Sequence, residues 1–128
     1  MATGSVERDF AASADETWGV LGDFYNVDAI FQGLDSFERD GDDRLIGMFG
    51  LTIRERLIEK DNDARRLVYS IVEGVPVDSH TGTITVVEAG TGSKVTWAYD
   101  VTPDEMADLM GGTYAGALDQ LKVHFNEA

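Results

Sequence analysis

Two residues in the middle of the chain, Glu55 and His80, have side chains able to move a proton. Ile53, Glu55 and Leu57 are spaced two residues apart, so their side chains share one face of a predicted strand. The apolar neighbours indicate that this face points inward, where a carboxylate is costly unless it is paired, hydrogen-bonded or protonated. The alternative is a surface ion pair near a sheet edge. We therefore take Glu55 as a candidate catalytic or ligand-contacting residue.

His80 is the second candidate because the ordinary pKa of an imidazole, about 6.5, lets it act as acid or base around neutral pH. The alternative is that this single histidine only contributes a hydrogen bond. Ser79 cannot join it in a catalytic triad, because adjacent side chains of a strand point to opposite faces. The same alternation predicts that His80 shares its face with Gly82, Ile84 and Val86.

Other chemistries lack the sequence patterns that they need. The chain has no cysteine, and His80 and His124 are too far apart for a helical metal-binding pair, so we expect no metal site. The glycines at 90 and 92 form a turn without the helix that must follow a nucleotide-binding fingerprint. Nucleophile-elbow and Walker motifs are absent. We expect no cofactor.

The composition limits the class of protein and its partners. With 128 residues, the chain is long enough for a real core, and we expect one domain over residues 1–128. Its net charge of −14 argues against nucleic acid and anionic membrane surfaces as partners. No apolar run approaches the roughly 18 residues of a membrane span and no signal peptide is recognisable, so we expect no membrane insertion and a cytoplasmic location. The oligomeric state is left open.

Alternating apolar and polar residues, separated by turns rich in Gly and Asp, predict seven strands. The strands are expected over residues 5–11, 34–39, 44–49, 51–60, 65–73, 78–88 and 94–100. A capping box formed by Ser13 and Glu16 starts a short helix, and residues 24–31 make a second short helical or irregular piece. Short turns join the last six strands, so the sheet is antiparallel.

Residues 101–128 predict one long amphipathic helix. Thr102 is the expected N-cap, Pro103 the first helical residue, and Glu105 the partner that completes a capping box. The apolar stripe of this helix consists of Met106, Met110, Tyr114, Ala117, Leu121 and Phe125. Only this helix is long enough to cover one face of the sheet. The predicted fold is α+β, with a curved seven-stranded antiparallel sheet around the C-terminal helix and two short helices after strand 1.

Five short segments carry a family resemblance: residues 14–24, 55–61, 67–71, 95–97 and 117–122. The second contains a Glu-Arg-Leu strand that ends in a turn aspartate. Together they resemble the polyketide cyclase/dehydrase group of the START-like (SRPBCC, birch-pollen-allergen-like) superfamily, which also contains the plant abscisic-acid receptors. The resemblance implies a helix-grip fold with a cavity between sheet and final helix that binds a hydrophobic or amphiphilic small molecule.

Strand alternation, helical spacing and the resemblance together select the side chains expected to contact this ligand. The resemblance matches Tyr69 and His80 to pocket positions and implies gate loops around Phe31 and the turn at Phe49. Gly82 leaves room beside them or marks a bend in its strand. The ligand-binding candidates are Phe31, Phe49, Ile53, Glu55, Leu57, Tyr69, Ile71, His80, Gly82, Trp97, Tyr99, Met106, Met110, Thr113, Tyr114 and Ala117.

Three glycines, Gly111, Gly112 and Gly116, interrupt the middle of the long helix. An interior glycine costs a helix about 0.5–1 kcal/mol relative to alanine. These glycines lie off the centre of the apolar stripe, so we do not expect them to bring the sheet closer. We predict a bend or soft point near Gly111 and Gly112, between a pocket-lining half of the helix and a half that packs as core.

Three functions are compatible with these residues. The first hypothesis is a module that binds a hydrophobic or amphiphilic small molecule, lipid-like or polyketide-like. The second is a polyketide cyclase or dehydratase, in which Glu55, His80, Tyr69 or Tyr114 polarises a carbonyl or moves a proton. That enzyme needs at least two convergent polar groups in an otherwise apolar pocket. The third is a regulatory domain that binds a partner protein through the same fold.

Overall fold

A computed structural model of the protein describes residues 2–31 and 33–127. The strands are β1 (Ala2–Phe10), β2 (Ser36–Asp40), β3 (Asp43–Met48), β4 (Leu51–Asp61), β5 (Arg66–Glu73), β6 (Ser79–Ala89) and β7 (Gly92–Thr102). The α-helices are α1 (Ala14–Leu21) and α2 (Ala107–His124). Two 3₁₀ turns, Val27–Ala29 and Asp104–Met106, follow α1 and precede α2.

The strands form one curved antiparallel sheet in the order β1-β7-β6-β5-β4-β3-β2. The chain therefore runs down the sheet from β2 to β7 by consecutive hairpins, and β1 completes the sheet by pairing with β7. The predicted α+β helix-grip fold is confirmed, with strand ends that differ from the predicted ones by up to three residues. The described helices include none long and apolar enough to cross a membrane.

The first helix begins where the capping box predicts. The Ser13 side chain accepts a hydrogen bond from the Glu16 backbone N–H at 3.1 Å, and the Glu16 carboxylate accepts one from the Ser13 N–H at 3.4 Å. Trp18 and Leu21 of this helix are buried in the core. The second helical piece is confirmed only in part, because it is a 3₁₀ turn of three residues.

The long helix begins later than predicted, so the capping box at Thr102 is wrong. Thr102 is still part of β7, where it pairs with Ser79, and its carbonyl oxygen accepts a hydrogen bond from the Asp78 N–H at 2.6 Å. Within the described residues, neither the 3₁₀ turn nor α2 has a side-chain cap. Extended pairing of the last strand thus outweighs the local capping signal. The helix also ends earlier than predicted, at His124, so residues 125–127 are not helical; residue 128 lies outside the described residues.

The apolar stripe of α2 is buried at Met110, Tyr114, Ala117 and Leu121, and the sequence pattern missed Leu118, which is also fully buried. The helix packs against β1, β7 and the first 3₁₀ turn. Covering this side of the sheet leaves the β3–β4 end without direct cover from α2. A gap between the helix and that end of the sheet is the geometric consequence.

Gly111 corrects the expectation that the helix glycines do not bring the sheet closer. A Cβ at this position would lie 2.9 Å from the Tyr99 hydroxyl oxygen, so only glycine lets Tyr99 of β7 approach α2 this closely. The α-helical hydrogen-bonding pattern continues through the glycines from Ala107 to His124. The helix is therefore continuous through these glycines, and the bend or soft point near Gly111 and Gly112 stays a prediction.

Candidate functional site: a cavity between α2 and the β3–β4 turn

A cavity of about 330 Å³ lies between α2, the segment after the first 3₁₀ turn and the β3–β4 turn. Its size is at the low end of the roughly 300–1,000 Å³ range of small-molecule sites. The described residues that line it are Ile30, Phe31, Gly33, Met48, Phe49, Gly112, Thr113, Gly116, Ala117 and Gln120. The cavity thus lies at the gap that the position of α2 leaves open.

One face of α2 forms the long wall of this cavity. Gly112, Thr113, Gly116, Ala117 and Gln120 recur at intervals of one, three and four residues, so they share a helix face. A Cβ placed on Gly112 or Gly116 would meet no atom within 4 Å. The missing side chains of these two glycines therefore contribute directly to the empty volume.

The opposite wall is the tight turn between β3 and β4. Phe49 and Gly50 are its two central residues, with φ of 54° and 74°, and Met48 pairs with Leu51 across it. Positive φ at both central positions is typical of the primed turns that close two-residue hairpins, but it is unfavourable for a bulky residue. The Phe49 side chain is 89% exposed. An aromatic ring thus stands at the mouth of the cavity instead of packing in the core.

A buried ion pair lies on the inner face of the sheet, on β3 and β4. Arg44 Nε donates to Glu55 Oε1 at 2.8 Å, and both side chains are less than a tenth exposed. Arg44 also donates to the backbone carbonyl of Phe24 and stacks over the Phe24 ring at 3.9 Å. The predicted inward direction of Glu55 is confirmed, and its carboxylate is neutralised within the protein, as a buried charge requires.

Arg44 is absent from the set of residues predicted from the sequence. The signal that could have found it is the register of the hairpin, because the two-residue turn at Phe49 and Gly50 pairs Arg44 with Glu55. Strand alternation also puts Arg44 on the same face as Ile46, which is buried.

His80 belongs to a second buried network. The Ile71 backbone N–H donates to His80 Nδ1 at 3.1 Å, so the proton of the neutral ring is on Nε2. Nε2 therefore donates to the Tyr114 hydroxyl at 2.7 Å, and that hydroxyl donates to Met110 Sδ at 3.5 Å. Burial lowers the pKa of His80 to about 4, against a weaker opposing effect of Asp100. The imidazole is neutral at physiological pH and links β5, β6 and α2.

Aromatic rings fill the rest of the space beneath α2. The Trp97 and Tyr114 rings stack at 4.4 Å between centroids, and Trp97 Nε1 donates to the Tyr69 hydroxyl at 3.2 Å. A Cβ on Gly82 would lie 2.6 Å from the Tyr69 ring, so the room that this glycine leaves is taken by Tyr69. Burial raises the pKa of both tyrosines above the ordinary range. Among the described residues, no buried side-chain nitrogen or oxygen lacks a partner.

The family profile described as "Polyketide cyclase / dehydrase and lipid transport" matches residues 1–126. The chain belongs to this family. A search of curated proteins found no match.

Several solved structures have the same fold as this chain. The protein XoxI from Bacillus cereus is 28% identical, with a TM-score of 0.90 over 99% of this chain and 97% of that one. An uncharacterized protein from Bacillus thuringiensis is 25% identical, with a TM-score of 0.87 over 97% and 98%. Norcoclaurine synthase from Thalictrum flavum is 24% identical, with a TM-score of 0.71 over 99% and 87%, and is similar in fold.

The predicted ligand contacts divide into two groups in this structure. Phe31, Phe49, Thr113 and Ala117 line the cavity. The others lie outside its lining, within or beside the core: Ile53, Glu55, Leu57, Tyr69, Ile71, His80, Gly82, Trp97, Tyr99, Met106, Met110 and Tyr114. The side chains with the chemistry of acids and bases are therefore separated from the open volume.

Six lining residues are not among the predicted contacts: Ile30, Gly33, Met48, Gly112, Gly116 and Gln120. Three of them follow Thr113 and Ala117 around the same face of α2, so helical spacing could have indicated them. The lining offers hydroxyl and amide groups but no carboxylate or imidazole among its described residues. The rest of the described chain holds no cluster of three or more metal-binding side chains.

Proposed function

We propose that this protein binds a hydrophobic or amphiphilic small molecule in the cavity between α2 and the β3–β4 turn. The observation that carries the proposal is the apolar lining of the cavity, where Ile30, Phe31 and Met48 face a helix wall with two empty glycine positions. Apolar cavities with a few polar groups are the usual form of small-molecule sites. Membership of a family described by polyketide cyclisation, dehydration and lipid transport agrees with such a ligand.

The buried polar networks support binding ahead of catalysis. Glu55 is paired with Arg44, and both nitrogens of His80 are engaged by Ile71 and Tyr114. A general acid or base must reach the proton that it transfers, directly or through one water. Thr113 and Gln120, the polar residues of the lining, do not titrate near neutral pH.

A polyketide cyclase or dehydratase activity is the second candidate, and one observation favours it. Tyr114 lies between the cavity residues Thr113 and Ala117 in α2, and its hydroxyl is hydrogen-bonded to His80. Tyr114 is thus adjacent in the chain to a residue of the cavity wall, and His80 is its hydrogen-bond partner. Catalysis would require the Tyr114 hydroxyl to leave Met110 and His80 and turn toward the substrate.

The binding proposal is tested by blocking the cavity at a position with no other contacts. Gly116→Leu fills the cavity from α2, whereas Gly19→Leu adds the same side chain to an exposed glycine of α1 that also has nothing within 4 Å. Thermal unfolding is measured with a panel of lipids and aromatic polyketide-like compounds, and native mass spectrometry is applied to the purified protein. We expect a ligand that stabilises the unmodified chain and Gly19→Leu but not Gly116→Leu. Equal stabilisation of all three proteins, or of none, would contradict the proposal.

A further inference from the structure

The described lining of the cavity contains no charged side chain. Two of its residues, Thr113 and Gln120, are polar, and the remainder are apolar or glycine. Neither of the two has a side-chain hydrogen-bond partner among the residues that the structure describes. The cavity therefore offers uncharged hydrogen-bonding groups and no counter-ion.

Two cationic residues lie within four residues of a lining residue in the sequence, and both make contacts outside the cavity. Arg44, four residues before Met48, is buried in its ion pair with Glu55. Lys122, two residues after Gln120, donates to the carbonyl oxygen of Asp9 at 2.6 Å, beside β1. Neither ammonium nor guanidinium group is free to meet an anion in the cavity.

The charge of the whole protein acts in the same direction. The net charge of −14 creates a potential that repels anions, and Asp108 lies exposed on the same helix as the cavity wall. An anion that entered would lose water without gaining a counter-ion, and a buried charge without a counter-ion is strongly unfavourable. An uncharged molecule meets neither penalty.

We infer that the cavity selects uncharged ligands over anionic ones, and that Thr113 and Gln120 recognise an uncharged polar group such as a hydroxyl, a carbonyl or an arylamine N–H. The inference rests on the proposed binding function and specifies its ligand class. It excludes free fatty acids and other carboxylates as preferred ligands. The two polar side chains are seven residues apart, roughly 10.5 Å along the helix axis, so they serve opposite ends of the cavity.

The test uses two fluorescent probes that differ in one charged group, N-phenyl-1-naphthylamine and its 8-sulfonate. Both are titrated into the unmodified chain, Gly116→Leu and Gly19→Leu. The sulfonate can also bind a groove beside β1 that contains Arg8, Lys94 and Lys122. Only the binding that Gly116→Leu removes is therefore assigned to the cavity.

We expect the amine to bind the cavity at least about tenfold more tightly than the sulfonate. Equal cavity-dependent affinity for both probes would overturn the inference and leave the proposed function standing. If the amine does not bind, or binds Gly116→Leu as well as it binds the unmodified chain, the proposed function itself fails at this site.

Recognition of the polar group is tested with Thr113→Val and Gln120→Leu, which retain most of the side-chain volume. The amine probe has a single N–H, so we expect one of the two variants to weaken its binding about fivefold, the effect of one hydrogen bond. The same variant should leave binding of 1-benzylnaphthalene, in which CH₂ replaces N–H, unchanged. Unchanged amine binding in both variants, or an equal loss for both compounds, would contradict the assigned roles.

Discussion

Alanine at Gly112 and Gly116 tests the shape of the cavity wall through its effect on stability. Both glycines are interior to α2, and a Cβ at either position meets no atom within 4 Å. The substitution therefore removes the helix penalty of glycine without introducing a clash. Each replacement should raise the free energy of unfolding by about 0.5–1 kcal/mol, so the double variant should gain about 1–2 kcal/mol.

This gain corresponds to a measurable rise in melting temperature. For a chain of 128 residues, an unfolding entropy of about 2.1 cal/mol/K per residue makes 1 kcal/mol worth roughly 4 °C, so we expect a rise of about 4–7 °C. Urea unfolding followed by circular dichroism gives the free energy directly, and an unchanged m-value shows that the surface exposed on unfolding is the same. Binding of the amine probe should weaken as stability rises, because the new methyl groups occupy the cavity.

Gly19→Ala in α1 is the matched control. It is also a helical glycine with no atom within 4 Å of an added Cβ, but it lies outside the cavity. It should raise stability by a similar amount per residue and leave probe binding unchanged. Destabilisation by Gly112→Ala and Gly116→Ala, with stabilisation by Gly19→Ala, would show that the space beside α2 is already filled and would refute the cavity.

Three further predictions concern the buried networks. Glu55→Ala leaves Arg44 buried without its partner and should cost about 3–5 kcal/mol of stability in urea unfolding, whereas a cost below 1 kcal/mol would show that the pair is solvated. The pKa of His80 is about 4 in the folded protein and about 6.5 in the unfolded chain. The contribution of the neutral imidazole to the free energy of unfolding is therefore complete above pH 6.5 and is lost as the pH falls toward 4. Between pH 6.5 and 4 the unmodified chain should lose up to about 3 kcal/mol of stability that His80→Gln does not lose. Identical profiles of stability against pH for the two proteins would contradict the buried neutral state of His80. Gly82→Ala places a Cβ against the Tyr69 ring and should destabilise by about 1–3 kcal/mol, and a neutral effect would mean that the ring is free to move aside.

Local patterns in the sequence were sufficient to predict the fold and the inward faces of β4, β5, β6 and β7, but not the inward Arg44 of β3. The alternation of side chains along the strands predicted that Glu55, His80 and Trp97 point toward the core, and all three are buried. The capping box at Ser13 predicted the start of α1 because both of its hydrogen bonds connect residues three apart. The same local rule failed at Thr102, where pairing with Ser79 competes for the backbone.

The location of the open space was decided by the tertiary structure alone. The periodicity of the sequence predicts which side chains point inward. Whether a cavity remains depends on which of these side chains contact each other in the fold and on how much volume they fill. Trp97 stacks on Tyr114 and Tyr69 fills the place beside Gly82, so the centre of the inner face is closed. The position of α2 over β1 and β7 then leaves the volume near the β3–β4 turn. The sequence by itself determined the inner faces of β4, β5, β6 and β7, and packing between elements distant in the chain determined where the interior is empty.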